Sequence, residues 1–130
     1  MSFPYRPTLS FEDKINANRG IDLCILGIGS NGHIAFNEPG SSFKSRTRVV
    51  DLSEQTIQDN SRFFGSVEDT PKQAITMGLG TIMESKKIVL MVNGDHKLNI
   101  LNVAMNGEVT EDIPSSILQN HNNVEVYYCD

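Results

Sequence analysis

Residues Ile21 to Ile28 form a nearly unbroken apolar run that leads straight into the glycine-rich stretch Gly27 to Gly32. Such a run reads as a central strand covered on both faces. A second buried strand is predicted over Ile88 to Val92, and a short last one over Val124 to Tyr128. Helix signals fall before and between them. Phe11 to Asn18 reads as the last turns of a helix, with Phe11 and Ile15 on one face and Gly20 as its stop. Ser53 is placed to cap a helix running through Phe64, and Thr70 with Pro71 marks a second helix start. Asp95 to Asn106 follows as a helix carrying Leu98, Leu101 and Met105 on one side, with Gly107 ending it. Strands alternating with helices specify the α/β class, a parallel sheet flanked by helices.

The 130 residues amount to a single domain, and a 38% apolar, 21% charged composition excludes disorder, collagen and coiled coil. A net charge of −5 argues against general affinity for nucleic acid or an anionic membrane. An anionic ligand would need a local basic site. Cys24 and Cys129 have neither the number nor the spacing of a disulfide framework or a metal knuckle, which points to a reducing, cytoplasmic setting. No stretch is apolar for long enough to span a membrane, and the opening MSFPYRPTLS lacks the apolar core of a signal peptide.

In a parallel sheet, ligands gather where strands end and helices begin, here at Gly27 to Gly32 and at Asn93 to Lys97. The first turn contains a literal G-x-G-x-x-G in Gly27, Gly29 and Gly32, with Asp51 near the position of a ribose-binding acid. A dinucleotide site also needs a helix opening at the third glycine. Pro39 and Gly40 leave little room for one, and Glu38-Pro39-Gly40-Ser41 fits a type II turn. A dinucleotide-binding module is therefore the weaker reading, and a helix beginning directly after Gly32 would revive it.

The same loop holds Asn31, His33, Asn37 and Glu38 at the mouth of a buried strand. A solvated loop would look the same. The functional reading is that His33 passes a proton either way while the Glu38 carboxylate orients it. At the second turn, with Asp95 as cap, Lys97 stands in a helix's first turn, where the macrodipole disfavours a cation unless an anion binds there. Arg62 could join Lys97 as a bidentate phosphate clamp, and Phe63 and Phe64 beside it read as packing residues. Solvated helix charges are the plain alternative for both cations.

The run GIGSNGHIAFNEPGSS, followed by SRTRV, NSRFF, P-K-x-A-x-T-x-G-x-G-T and G-x-x-K, resembles the glucosamine-6-phosphate deaminases, also called isomerases, over about residues 11 to 130. The resemblance implies a single partial domain, residues 1–130, like the C-terminal half of that family. It implies a partial Rossmann-like fold and the conversion of glucosamine 6-phosphate and water into fructose 6-phosphate and ammonium, with no metal or organic cofactor. The related 6-phosphogluconolactonases share the glycine and histidine part without N-E-P followed by SRTRV. By the same resemblance His33 is the ring-opening acid-base residue, Glu38 its carboxylate partner, and Arg62 and Lys97 hold the substrate phosphate.

Three departures qualify what is carried over. Asn31 stands where many members have Asp, so it can orient the imidazole but supplies no charge. Ser41, Ser42 and Arg48 match part of the allosteric N-acetylglucosamine-6-phosphate site of some members, yet Val50 replaces the Lys that accompanies them. The N-terminal segment with a phosphate loop and the aspartate that removes the C2 proton has no match, which leaves Asp22 and Asp51 as the nearest substitutes. The expectation is a truncated form that turns over slowly, its cut core favouring a homo-oligomer, or a catalytically silent sugar-phosphate-binding fragment.

Overall fold

A computed structural model describes residues 7–130; residues 1–6, the start of the segment tested as a signal peptide, lie outside the described part. The chain opens with helix α1 (Pro7–Ala17). It ends where the Gly20 amide reaches back to the Ile15 carbonyl and that of Arg19 to Asn16, a Schellman closure. The left-handed residues there are Arg19 at φ 65° as well as the predicted Gly20. Strand β1 (Leu23–Leu26) follows, and pairs in parallel with β4 (Lys87–Asn93). The opposite edge of β4 carries β5 (Val124–Cys129), also parallel, so the sheet order is β1-β4-β5.

Alternation in β4 explains what the sheet holds. Ile88, Leu90 and Val92 are buried, as are Cys24 and Leu26 of β1, and together they meet Ala104 of helix α4 (Leu98–Asn106). Leu79 and Ile82 of the short helix α3 (Leu79–Met83) and Ile117 and Leu118 of the 3-10 segment Pro114–Asn120 complete this core. The other face of the sheet is bare among the described residues, with Ile25 61% and Met91 56% exposed beside Leu23 and Tyr127. This corrects the prediction of a first strand covered on both faces: β1 lies at an edge and has one buried face.

Between β1 and β4 the chain makes an unpredicted antiparallel pair, β2 (Arg48–Asp51) with β3 (Gln73–Thr76). Thr70 and Pro71 therefore lead into a strand and do not start a helix. The Thr70 hydroxyl donates to the Ser66 carbonyl, closing a turn, so it caps nothing. Ser53 does cap helix α2 (Glu54–Asn60), its hydroxyl accepting the Thr56 amide at 3.1 Å. The predicted single helix to Phe64 breaks at Asn60 and continues as a 3-10 turn, Ser61–Phe63. The helix predicted from Asp95 is likewise split. A 3-10 turn, Asp95–Lys97, precedes α4, Gly94 at φ 96° occupies the cap position, and Asp95 caps nothing. Leu98, predicted on the apolar side, is exposed, while Leu101 and Met105 pack on the core.

Glu12 of α1 ties this middle segment to the sheet layer. Its carboxylate accepts the Thr47 amide and the hydroxyls of Thr47 and Thr81, and it meets Arg46 at 3.2 Å. Burial pushes its pKa up, but the bonds from Thr81 and Thr47, with Arg46 beyond them, outweigh that and hold it below the ordinary carboxylate value.

Adjacent residues of β4 make a direct test of the one-sided sheet. Leu90→Ala should cost about 2–5 kcal/mol by leaving a cavity. Met91→Ala should stay within about 0.5 kcal/mol. Urea denaturation of both variants measures the contrast, and equal losses would mean that the Met91 face is covered.

Candidate active site

The C-terminal ends of β1 and β4 stand side by side, and a cleft of about 490 Å³ opens above them. Its walls include the Gly27 to Gly29 turn, His33, Arg62 and Lys97. The four residues predicted to carry chemistry thus come together, with His33 and both cations on the wall and Glu38 directly behind the histidine. No helix follows Gly32: residues 33–42 form turns, and the next helix is α2. That removes the anion-binding helix a dinucleotide site requires. Asp51, its proposed ribose acid, instead accepts from Gln73 on the neighbouring strand.

His33 owes its place to the glycines. The Gly29 amide donates to the His33 carbonyl at 2.9 Å, and any side chain at Gly29 would overlap the imidazole. Beyond it Ala35 takes φ 51°, a conformation that costs a non-glycine residue roughly 1–2 kcal/mol. Fully buried Asn37 holds this turn, its amide donating to the carbonyls of Ile34 and Met77. Asn37 is therefore a structural support and not a member of the polar set in the cleft. The type II turn forms as predicted, with Gly40 at φ 93° and the Ser41 amide bonded to the Glu38 carbonyl at 3.0 Å.

Hydrogen-bond directions in the acid-base group are fixed by Asn31. Its Oδ1 accepts the His33 backbone amide at 3.2 Å, so its Nδ2 is the end that donates to Glu38 Oε2 at 2.9 Å. The same Oδ1 lies 2.7 Å from His33 Nδ1, which must then carry the proton. His33 Nε2 is left with its lone pair. Glu38 thus acts on the imidazole chiefly through Asn31, since its own Oε1 is 3.8 Å from Nδ1. Burial is the largest influence and pushes the His33 pKa below the ordinary histidine value; Glu38 opposes it, Lys97 adds to it, and Asp59 opposes it.

Lys97 closes the 3-10 turn before α4, and its ammonium donates to the Ile28 carbonyl at 2.6 Å. That bond links the two strand-end loops and leaves two of its three donors for an anion. The Lys97 and Leu98 amides bond within the turn, so they are not the free helix-end donors that the sequence implies. Arg62 is exposed at the cleft, its guanidinium 4.7 Å from the centre of the Phe63 ring. Phe63, predicted as packing, is 67% exposed.

Other predicted residues lie elsewhere. Arg48 donates to Asn37 Oδ1 at 2.9 Å and to Ser41 at 3.4 Å, while the Ser42 hydroxyl accepts the Lys44 amide; none of the three lines the cleft. Asp22 is paired with Lys86 in solvent before β1, and with Asp51 on β2 it is absent from the cleft wall. The carboxylate that does line the cleft is Asp59 of α2, which accepts from Ser30 at 3.3 Å and from Gln55 at 2.8 Å. An Asp in the polar half of a helix gave no sign of this in the sequence. Among the described residues no group of His, Cys, Asp and Glu side chains is placed to hold a metal ion.

The chain is similar to known proteins over most of its length. The chain is 53% identical over 117 residues to a glucosamine-6-phosphate deaminase of Oceanobacillus iheyensis, covering 90% of this chain and 47% of that one. It is 57% identical over 114 residues to the deaminase of Streptococcus pyogenes, covering 88% and 49%. It thus spans about half the length of the curated relatives it matches. A solved structure of a monomeric glucosamine-6-phosphate deaminase superposes with a TM-score of 0.90 at 45% identity, over 93% of this chain and 50% of that one. The 6-phosphogluconolactonase of Trypanosoma cruzi shares the fold at a TM-score of 0.68 and 24% identity, over 93% of this chain and 47% of that one. The profile described as glucosamine-6-phosphate isomerases/6-phosphogluconolactonase matches residues 5–127, and the chain belongs to that family.

Proposed function

We propose that this chain carries the ring-opening and phosphate-holding part of a glucosamine-6-phosphate deaminase. The observation that supports it most is the imidazole of His33, held by Asn31 with Nε2 unprotonated in a cleft that Lys97 and Arg62 make cationic. Opening a pyranose requires removal of the proton from the anomeric hydroxyl, cleavage of the bond between C1 and the ring oxygen, and protonation of that oxygen. A neutral histidine performs both transfers in turn. Lys97 and Arg62 anchor the phosphate at the far end of the sugar, which fixes the ring against His33. The substrate is a sugar phosphate, the setting is cytoplasmic, and no metal takes part. No helix among the described residues is long and apolar enough to cross a membrane.

The Ser41, Ser42 and Arg48 group is a remnant of an effector site in this reading. With Arg48 engaged by Asn37 and Ser41, an arriving anion would have to displace bonds that hold the loop.

Lys97→Ala and Arg62→Ala should each weaken glucosamine 6-phosphate binding by about 1.5–3 kcal/mol, the value of a charge-assisted bond. Calorimetry measures it, and unchanged affinity in both variants would rule out the phosphate assignment. Ammonium release should separate binding from turnover. Among the described residues the cleft wall carries His33 and the carboxylate of Asp59, which accepts from Ser30 and Gln55 and is not the base assigned to the C2 proton in this reading. Loss of a general base lowers rates by roughly 10²- to 10⁴-fold, so this chain should bind the sugar phosphate yet release ammonium at least that much more slowly than its Streptococcus pyogenes relative. Comparable rates would identify a base within this chain.

A lowered folded pKa also sets the sign of a stability effect. Between the ordinary value of about 6.5 and the lower folded value, the unfolded chain binds the extra proton. The contribution of neutral His33 is therefore fully present above that ordinary value and is lost as pH falls toward the folded one. Urea midpoints should drop over this window in the parent chain and less so in His33→Gln; a steeper drop in the variant would reverse the assignment.

A further inference from the structure

We propose that Thr56 is a positioning residue of the acid-base group: its hydroxyl pins the Glu38 carboxylate so that Glu38 reaches His33 only through Asn31. The inference rests on the acid-base reading of His33, but its test does not require turnover. Thr56 lies on α2, the element that leads to Arg62, and is almost wholly buried. Its Oγ1 donates to Glu38 Oε1 at 2.6 Å and accepts from the Ser53 hydroxyl at 3.0 Å. The first bond fixes the direction of the second, because a carboxylate only accepts and a hydroxyl has a single proton to give.

With one Glu38 oxygen held by Thr56 and the other by the Asn31 amide, the carboxylate stays 3.8 Å from Nδ1. Thr56 Oγ1 itself stands 3.5 Å from that nitrogen, to one side of the line between it and Oε1, so the hydroxyl acts by holding the carboxylate and not by blocking its way. Without the hydroxyl, Oε1 is free to swing toward Nδ1–H, share that proton with Asn31 Oδ1 and form an ion pair with the imidazolium. Such a pair would raise the histidine's pKa and hold the proton that ring opening has to pass on. Thr56 thereby keeps a negative charge close to His33 without direct contact. The other charged groups facing the ring are Lys97 from the turn before α4 and Asp59 from α2, with Arg62 and His96 on the same cleft wall. None of them bonds to Thr56.

The helix cap offers a control. Capping uses the Thr56 backbone amide on the Ser53 hydroxyl, whereas positioning uses the Thr56 side-chain hydroxyl. Thr56→Val keeps the amide and the shape and removes the hydroxyl; Thr56→Ser keeps both groups. The measurement is the imidazole titration of His33 by NMR in the complete chain, with His33→Gln identifying its signal among the three histidines. In Thr56→Val the His33 midpoint should rise by on the order of half to one pH unit, and in Thr56→Ser it should stay at the parent value. Amide spectra of the two variants should match the parent elsewhere. A midpoint unmoved in Thr56→Val, or moved equally in both variants, would overturn the positioning role and leave Thr56 with helix packing alone. A shift confined to Thr56→Val in a chain that binds no glucosamine 6-phosphate would support the positioning role while sinking the functional reading.

Discussion

Everything in this molecule is placed by the burial of one face of β4. Ile88, Leu90 and Val92 point into the layer built by α3, α4 and the Pro114–Asn120 segment, and β1 and β5 align their own apolar residues with them. Each fully buried aliphatic side chain contributes roughly 1.5–3 kcal/mol of transfer free energy, more than the roughly 0.5–1.5 kcal/mol of an ordinary neutral hydrogen bond in the cleft. Because β1 is parallel to β4, their C-terminal ends finish together, and the loops that leave them are forced into contact. Lys97 bonding the Ile28 carbonyl is the visible result.

On that base the hydrogen bonds around His33 fix where its proton sits. An aspartate at position 31 would place a charge beside the imidazole and raise its basicity. The amide at Asn31 sets the same tautomer by geometry alone, leaving the nearest charge on Glu38 a residue away. Burial then outweighs the carboxylates, so His33 is neutral over a wider pH range than a free histidine. The cleft joins a neutral imidazole to two cations, the combination that the proposed ring opening of a sugar phosphate would use.

Features encoded by long or chemically unambiguous patterns were legible in the sequence. The β1 and β4 runs, the Ser53 cap, the type II turn at Glu38 to Ser41 and the meeting of His33, Glu38, Arg62 and Lys97 follow from apolar patterning, turn chemistry and motif resemblance. The β2–β3 pair was not, because each strand has four residues, Ile75 and Val49 point outward, and nothing marks partners so far apart. Thr70-Pro71 misled for a related reason: hydroxyl followed by proline suits a turn as well as a helix start. Thr56 and Asp59 escaped notice because polar residues on an amphipathic helix are indistinguishable from solvated ones until the helix is docked. The single covered face of β1 also escaped, since an apolar run says how much surface needs cover and not what provides it.

The wide separation of β1 and β4 governs when the site can exist during folding. Leu23 pairs with Lys87, and His33, Glu38, Thr56 and Arg62 all lie on the loop that this pairing closes. Closing a loop of that length is entropically opposed, and its contacts are gained only at the end. In a chain emerging from the ribosome, β1 therefore waits for β4, and the cleft cannot take shape piecemeal from its own sequence neighbours. Helix α2 and its Ser53 cap are local and can form early; Lys97 cannot meet the Ile28 carbonyl until the parallel pair has closed. The cationic wall that Lys97 and Arg62 share consequently appears late and in one step with sheet formation, so any anion it holds would report on folding of the sheet.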